Sequence, residues 1–177
     1  VEQIEQWTGA GNNRASAAIL YRSNAQSRVL EEALIRAGMP YRIYGGQRFY
    51  ERMEIRTALA YLRLLLSRGD DAAVERVINT PPRGIGGKTL DVVRDCARSR
   101  EISLWQAIAA VIEEKLLPAR ALGALEGFVA LINELDTGTD ELSLEEAVEH
   151  IIQGSSLVEF YRKEKGEKGQ ARVENLE

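Results

Sequence analysis

The stretch from Ala17 to Tyr44 constrains the fold most. Ala17-Ala18-Ile19-Leu20-Tyr21 is short and almost continuously apolar, which predicts a buried strand. Arg22-Ser23-Asn24 ends it. Ser23 or Asn24 can cap a helix whose apolar positions Val29, Leu30, Ala33, Leu34 and Ala37 keep helical spacing, closed by Gly38 before Pro40. Tyr41-Arg42-Ile43-Tyr44 predicts a second strand, which stops at Gly45-Gly46. Strand, helix and strand within about 30 residues make a βαβ unit with parallel strands and a right-handed crossover. Two strands do not form a stable parallel sheet by themselves, so the remaining strands are expected elsewhere in a longer protein, of which this chain would be a piece.

From Met53 onward the pattern turns helical. Ile55, Leu59, Leu62 and Leu66 predict one helix, and Gly69-Asp70-Asp71 breaks it and caps the next, Ala72 to Ile78. Further helices are predicted over Thr89 to Arg98, Ser103 to Lys115, Ala119 to Leu135, Ser143 to Gln153 and Ser156 to Lys163, with Lys163 to Gln170 as a solvated loop. The expected class is mixed α/β, predominantly helical. A partial parallel α/β domain would occupy residues 1–70. An all-α domain over 71–177, truncated at its C-terminal end, would follow a boundary near Arg68 to Asp71.

Composition excludes several classes. The 177 residues are 45% hydrophobic, which is ordinary for a globular chain and argues against disorder. Apolar runs such as Leu59 to Leu66 are cut by Arg63, far short of the roughly 20 residues that cross a bilayer. No basic and then apolar leader opens the chain, and Cys96 is the single cysteine, so a cytoplasmic setting without an internal disulfide is expected. With one histidine, His150, a zinc site is not expected either.

The net charge of -4 hides an asymmetry. Residues 1–100 hold 16 Lys+Arg against 11 Asp+Glu, whereas residues 101–177 hold 7 against 16. A polyanionic partner would meet the first hundred residues. All ten cations of residues 1–72 are arginine, the side chain suited to planar, bidentate recognition of phosphate or carboxylate.

Three segments carry candidate chemistry. Gly84-Ile85-Gly86-Gly87-Lys88-Thr89 ends like a phosphate-binding P-loop, but Pro82 occupies the position where that loop needs its first glycine. A helix, a Gly-Ile-Gly turn and a second helix make instead a helix-hairpin-helix pattern. Its glycines would let backbone N–H groups approach a phosphate of a nucleic-acid backbone, with Arg83 and Lys88 as counter-charge. A plain Pro/Gly turn between helices fits the same residues. Tyr21 and Arg22 sit at the predicted strand's carboxyl end, where open α/β sheets bind ligands. Tyr21 can stack on a base or pack in a core, and Arg22 can reach a phosphate or a surface carboxylate. Gly45 to Arg52 interleaves Arg48 and Arg52 with Phe49 and Tyr50, which suits unpaired bases or fastens the next helix to its neighbours. Trp105, at helical spacing with Ile108 and Val111, is expected in the core.

These residues, read together, resemble the UvrD/PcrA/Rep group of superfamily-1 DNA helicases. The likeness is carried by Ile19-Leu20-Tyr21-Arg22-Ser23-Asn24-Ala25-Gln26-Ser27-Arg28, by Pro40 to Gly46 with Phe49, Arg52, Glu54 and Ile55, by Arg83-Gly84-Ile85-Gly86, and by the closing Glu174-Asn175-Leu176-Glu177. The resemblance implies that residues 1–70 begin the second RecA-like motor domain and that 71–177 are most of the helical domain inserted into it. It implies that Tyr21 stacks on the adenine of ATP and that Arg22 is an arginine finger for the γ-phosphate. It implies that the turn with Arg83, Gly84, Ile85, Gly86, Lys88 and Thr89 contacts duplex DNA, and that Arg48 and Arg52 lie near the single strand. ATP and Mg2+ would serve the full-length enzyme, a 3'-to-5' DNA helicase of repair, and neither would bind this piece tightly. Its partners would be a single-strand/duplex junction, the other helicase domains and repair proteins, with no membrane. The sequence has no Walker A loop and no acidic Mg2+-binding motif, so hydrolysis by this chain alone is not expected. The alternative is a non-catalytic helical module that docks or regulates a protein partner.

Overall fold

The computed structural model describes residues 1–22, 24–44, 49–137, 139 and 142–177. Among these, ten α-helices follow in order: α1 Glu2–Gly9, α2 Asn24–Arg36, α3 Met53–Leu66, α4 Asp71–Val77, α5 Gly87–Arg100, α6 Leu104–Glu113, α7 Ala119–Asp136, α8 Leu144–Gly154, α9 Leu157–Arg162 and α10 Glu167–Leu176. Short 3-10 turns stand at Arg14–Ser16 and Phe49–Glu51.

No strand occurs among the described residues, which corrects the α/β expectation. A continuous apolar run becomes a strand only where a neighbouring strand supplies its hydrogen bonds. Ala17 to Tyr21 and Tyr41 to Tyr44 meet no such neighbour among the described residues, and no ladder joins the two segments. Alternate side chains stay in solvent, with Leu20 94% and Tyr44 85% exposed, while Ile19, Tyr41 and Ile43 are half-buried. The regular structure of the described residues is helical, and the expected βαβ unit is not formed among them.

The helices assemble around α3. It packs on α4, α7, α8, α10 and the Phe49–Glu51 turn, burying Ile55, Ala58, Ala60, Tyr61 and Leu64. Leu59 and Leu66, expected on the buried stripe, are instead exposed, and Ile55, Ala58, Tyr61 and Leu64, spaced three apart, carry the buried face. One hydrophobic core runs from Phe49 to Leu176 and includes both α3 and α4, so the expected boundary near Arg68 to Asp71 falls in a short link between two helices that pack on each other. Trp105 lies against that core, edge-on to Phe128, with the Arg68 guanidinium 5.1 Å from its ring centroid.

Local signals set the helix ends. Ser103 and Ser143 each accept a backbone N–H three residues on, while Gln106 and Glu146 return a bond to the serine N–H, forming reciprocal capping boxes for α6 and α8. Asp70 caps α4 by accepting from Ala73 N–H at 3.0 Å. Where α10 crosses the end of α9, Gly169 sits against the carbonyls of Tyr161 and Glu164, and a β-carbon there would collide with both.

Candidate functional site

Two separate regions hold the candidate residues. The first is an open cleft of about 1530 Å3 walled by the segments before and after α2, by the start of α3 and by α10. Tyr21 and Arg22 stand on its rim, both exposed, immediately ahead of α2. The Arg22 backbone N–H donates to Gln26 Oε1 at 3.0 Å, which ties this residue to the first turn of α2. Arg22 thus presents a cation beside an aromatic ring, an arrangement able to meet a phosphate and a base together.

Arg52 lines the same cleft but faces inward. It is 8% exposed and donates to Asn175 Oδ1 and to Ser27 Oγ. Phe49 is buried beside it, edge-on to the exposed Tyr50 at 5.2 Å between centroids, and Phe49 anchors the start of α3 in the core. Arg48, with Gly45, Gly46 and Gln47, lies outside the described residues, as does the candidate cap Ser23.

The second region is the turn between α4 and α5. The sequence pattern predicts helix, Gly-Ile-Gly turn and helix, and these elements stand there, with Gly86 as N-cap of α5. Gly84 has φ +78, the left-handed region in which a side chain is strained. Ile85 is 1% exposed and anchors the turn in the core, whereas Gly84, Gly86, Gly87 and Lys88 are exposed and Thr89 is buried. No side chain caps α5; the Thr89 and Leu90 N–H groups turn back to the Gly86 carbonyl at 3.1 Å, and Gly87 and Lys88 ahead of them are exposed.

Arg83 does not project with them. Its guanidinium donates to the carbonyls of Val77 and Pro81 at 3.0 and 3.1 Å, to the Tyr61 hydroxyl at 2.6 Å and to the Ser155 carbonyl at 3.4 Å. Asn79 Oδ1 accepts from the N–H groups of Arg83 and Ile85, at 2.7 and 3.3 Å. Tyr61 completes the support by donating to the Thr80 carbonyl at 2.7 Å. Asn79 and Tyr61 lie outside the three segments that the sequence singles out. Asn79 has a local signal, since Asn ahead of Thr-Pro-Pro is a turn former whose side chain bonds nearby backbone. Tyr61 has none, because its partners are remote in sequence.

No residue of this turn lines the cleft, so the structure joins Tyr21, Arg22 and Arg52 and keeps them apart from the α4–α5 hairpin. Among the described residues no group of His, Cys, Asp and Glu is arranged to hold a metal, and no helix is long and apolar enough to cross a membrane.

The sequence profile of the UvrD-like helicase C-terminal domain matches residues 1–168. The chain belongs to this family. DNA helicase II of Escherichia coli (strain K12) is 56% identical over 177 residues, which is all of this chain and 25% of that protein. ATP-dependent DNA helicase PcrA of Bacillus subtilis (strain 168) is 40% identical over 176 residues, 99% of this chain and 24% of that protein. DNA helicase II of Haemophilus influenzae is 55% identical over 175 residues, 99% of this chain and 24% of that protein. The chain therefore spans about a quarter of the length of the curated relatives it matches. In this UvrD-like chain the hairpin lies outside the cleft that Tyr21 and Arg22 line.

Proposed function

We propose that this chain is part of an ATP-dependent 3'-to-5' DNA helicase that acts in repair in the cytoplasm. The observation that carries this reading is 56% identity across the whole chain to DNA helicase II. In it, Tyr21 packs on the adenine of ATP and Arg22 meets the γ-phosphate. A guanidinium there neutralises charge that develops on the transferred phosphoryl group, so it lowers the barrier to transfer and makes turnover depend on closure around the nucleotide. The rim position and exposure of both side chains suit such a role. ATP and Mg2+ supply the phosphoryl chemistry when bound, and the carboxylates that hold the metal belong to other parts of the full-length enzyme.

The hairpin meets duplex DNA. The exposed N–H groups at the start of α5 and the Lys88 ammonium contact phosphates without reading bases. Thr89 begins α5 beside them. Arg83 acts from behind, holding the turn that presents Gly84, Ile85 and Gly86. Arg48 approaches the single strand. The other helicase domains, and repair proteins, are the macromolecular partners.

The test is binding of this chain to a forked DNA junction over a range of salt, with ATP hydrolysis followed in parallel. Affinity should fall steeply with salt, and Lys88→Ala should reduce the log–log slope by about 1. The chain by itself should leave ATP intact. A slope unchanged by Lys88→Ala would reduce the hairpin to a plain turn, and hydrolysis by the isolated chain would contradict the divided ATP site.

A further inference from the structure

A buried polar chain joins α2, α3 and α10 beneath the Tyr21–Arg22 rim. Arg52, at the N-cap of α3, donates from Nη1 to Asn175 Oδ1 at 2.6 Å and from Nη2 to Ser27 Oγ at 2.7 Å. Asn175, in α10, donates from Nδ2 to Glu54 Oε1 at 2.6 Å. Glu54 is 4% exposed and faces Arg172 at 3.7 Å, and Arg172 pairs with Glu164 at 2.5 Å. Charge alternates along the chain, with the neutral amide of Asn175 between the first cation and the first carboxylate.

Stability alone does not account for this arrangement. Burying these charges costs desolvation, and apolar side chains of similar volume commonly stabilise a core as well or better. What such a network does impose is geometry. The Asn175 amide has one satisfactory orientation, carbonyl toward the guanidinium and NH2 toward the carboxylate, and its reversal would set like partners against each other. The bonds are directional, so α2 and α10 cannot slide over α3 as two greasy faces could.

The network reaches the rim through α2. Ser27 is 1% exposed and follows Gln26, whose side chain accepts the Arg22 N–H. One turn later on the same face Glu31, 3% exposed, accepts from the Tyr41 hydroxyl at 2.9 Å and from Phe49 N–H at 3.1 Å. Polar groups at two successive turns therefore fasten α2, while its apolar residues Leu30 and Leu34 are only half-buried.

We propose that Ser27, Arg52 and Asn175 are positioning residues for Arg22. They hold the leading end of α2 at a fixed place on α3 and α10, so that the guanidinium is already aimed when the nucleotide cleft closes. This inference rests on the reading of Arg22 given under Proposed function. Displacement of a reacting group by about 1 Å can cost on the order of 100-fold in rate, which is the scale at which such a clamp matters.

The test is DNA-stimulated ATP hydrolysis by the full-length helicase that carries this chain, comparing Asn175→Asp, Ser27→Ala, Arg22→Ala and each of the first two combined with Arg22→Ala. Asn175→Asp sets a carboxylate against Glu54 and should lower kcat by about 10- to 100-fold. KM for ATP should stay near the parent value. Ser27→Ala removes a single hydroxyl, should lower kcat by about threefold, and carries the test if Asn175→Asp does not fold. Neither substitution should slow the Arg22→Ala enzyme further, because both act through that residue, whereas general loss of structure would slow both backgrounds alike. Parent turnover in Asn175→Asp and Ser27→Ala, or equal losses with and without Arg22, overturns the inference while a slow Arg22→Ala enzyme keeps the arginine-finger reading. Parent turnover in Arg22→Ala overturns both.

Discussion

Tyr61 carries more of the α4–α5 turn than its place in the middle of α3 announces. Its hydroxyl donates to Thr80 and accepts from Arg83, and the ring is fully buried. Burial pushes its ionisation up to about 12, with the Arg83 guanidinium pulling the other way. The folded protein therefore keeps a proton that the unfolded chain releases near 10. The associated stability is complete below about 10 and is lost as pH rises toward 12. Tyr61→Phe should cost about 1–3 kcal/mol at neutral pH, since it strips Arg83 of an acceptor and Thr80 of a donor. It should also shrink the alkaline loss of stability, leaving the part due to buried Tyr161, whose ionisation is raised as well. Thermal unfolding of both proteins from neutral pH to about pH 12 checks this, and identical alkaline limbs would show that Tyr61 does not couple to the fold.

Among the helices, the caps are where pH acts. The Ala73 N–H, and after it Arg63, hold the Asp70 carboxyl below its usual range. Ser143 does the same for Glu146, and Arg100 for Glu114. Depressed carboxylates contribute stability above their unfolded values, near 4, and lose it as pH falls through the folded ones. Helical circular dichroism should therefore decline below about pH 4. Ser143→Ala, which opens the α8 capping box, should cost about 1 kcal/mol and soften that decline. A helical signal unchanged down to about pH 2, with the variant as stable as the parent, would remove the caps from the account.

The same caps explain what sequence reveals at this scale. Helices α5 to α8 are legible within a residue or two of their ends because Ser, Pro and Gly mark them locally. The extended segments around α2 misled because apolar run length reports burial against a partner, and the partner is not in the run. The inner face of α2 was equally hidden, since Ser27 and Glu31 look like solvent positions until Arg52 and Phe49 are seen beside them. Helix α10 begins inside the Lys163 to Gln170 stretch that composition assigns to solvent. Gly169 accounts for this, being buried where its lack of a side chain permits close approach to α9. At the hairpin, glycine and proline made the turn legible, but not that Arg83 would turn inward to four acceptors and leave Lys88 as the outward cation.

Over the whole molecule, charge and packing divide the surface without dividing the core. Residues 1–100 carry the net positive charge, the Tyr21–Arg22 rim and the hairpin, while the acidic remainder contributes residues from Leu104 to Leu176 to the same core. Under the proposed function the Tyr21–Arg22 rim faces the nucleotide and the hairpin faces DNA phosphates, and the central claim is that Arg22 completes the ATP site. DNA-stimulated ATP turnover by the full-length helicase with Arg22→Ala tests it most directly. The account predicts a fall in kcat on the order of 1,000-fold with DNA affinity retained; turnover at the parent rate would contradict it.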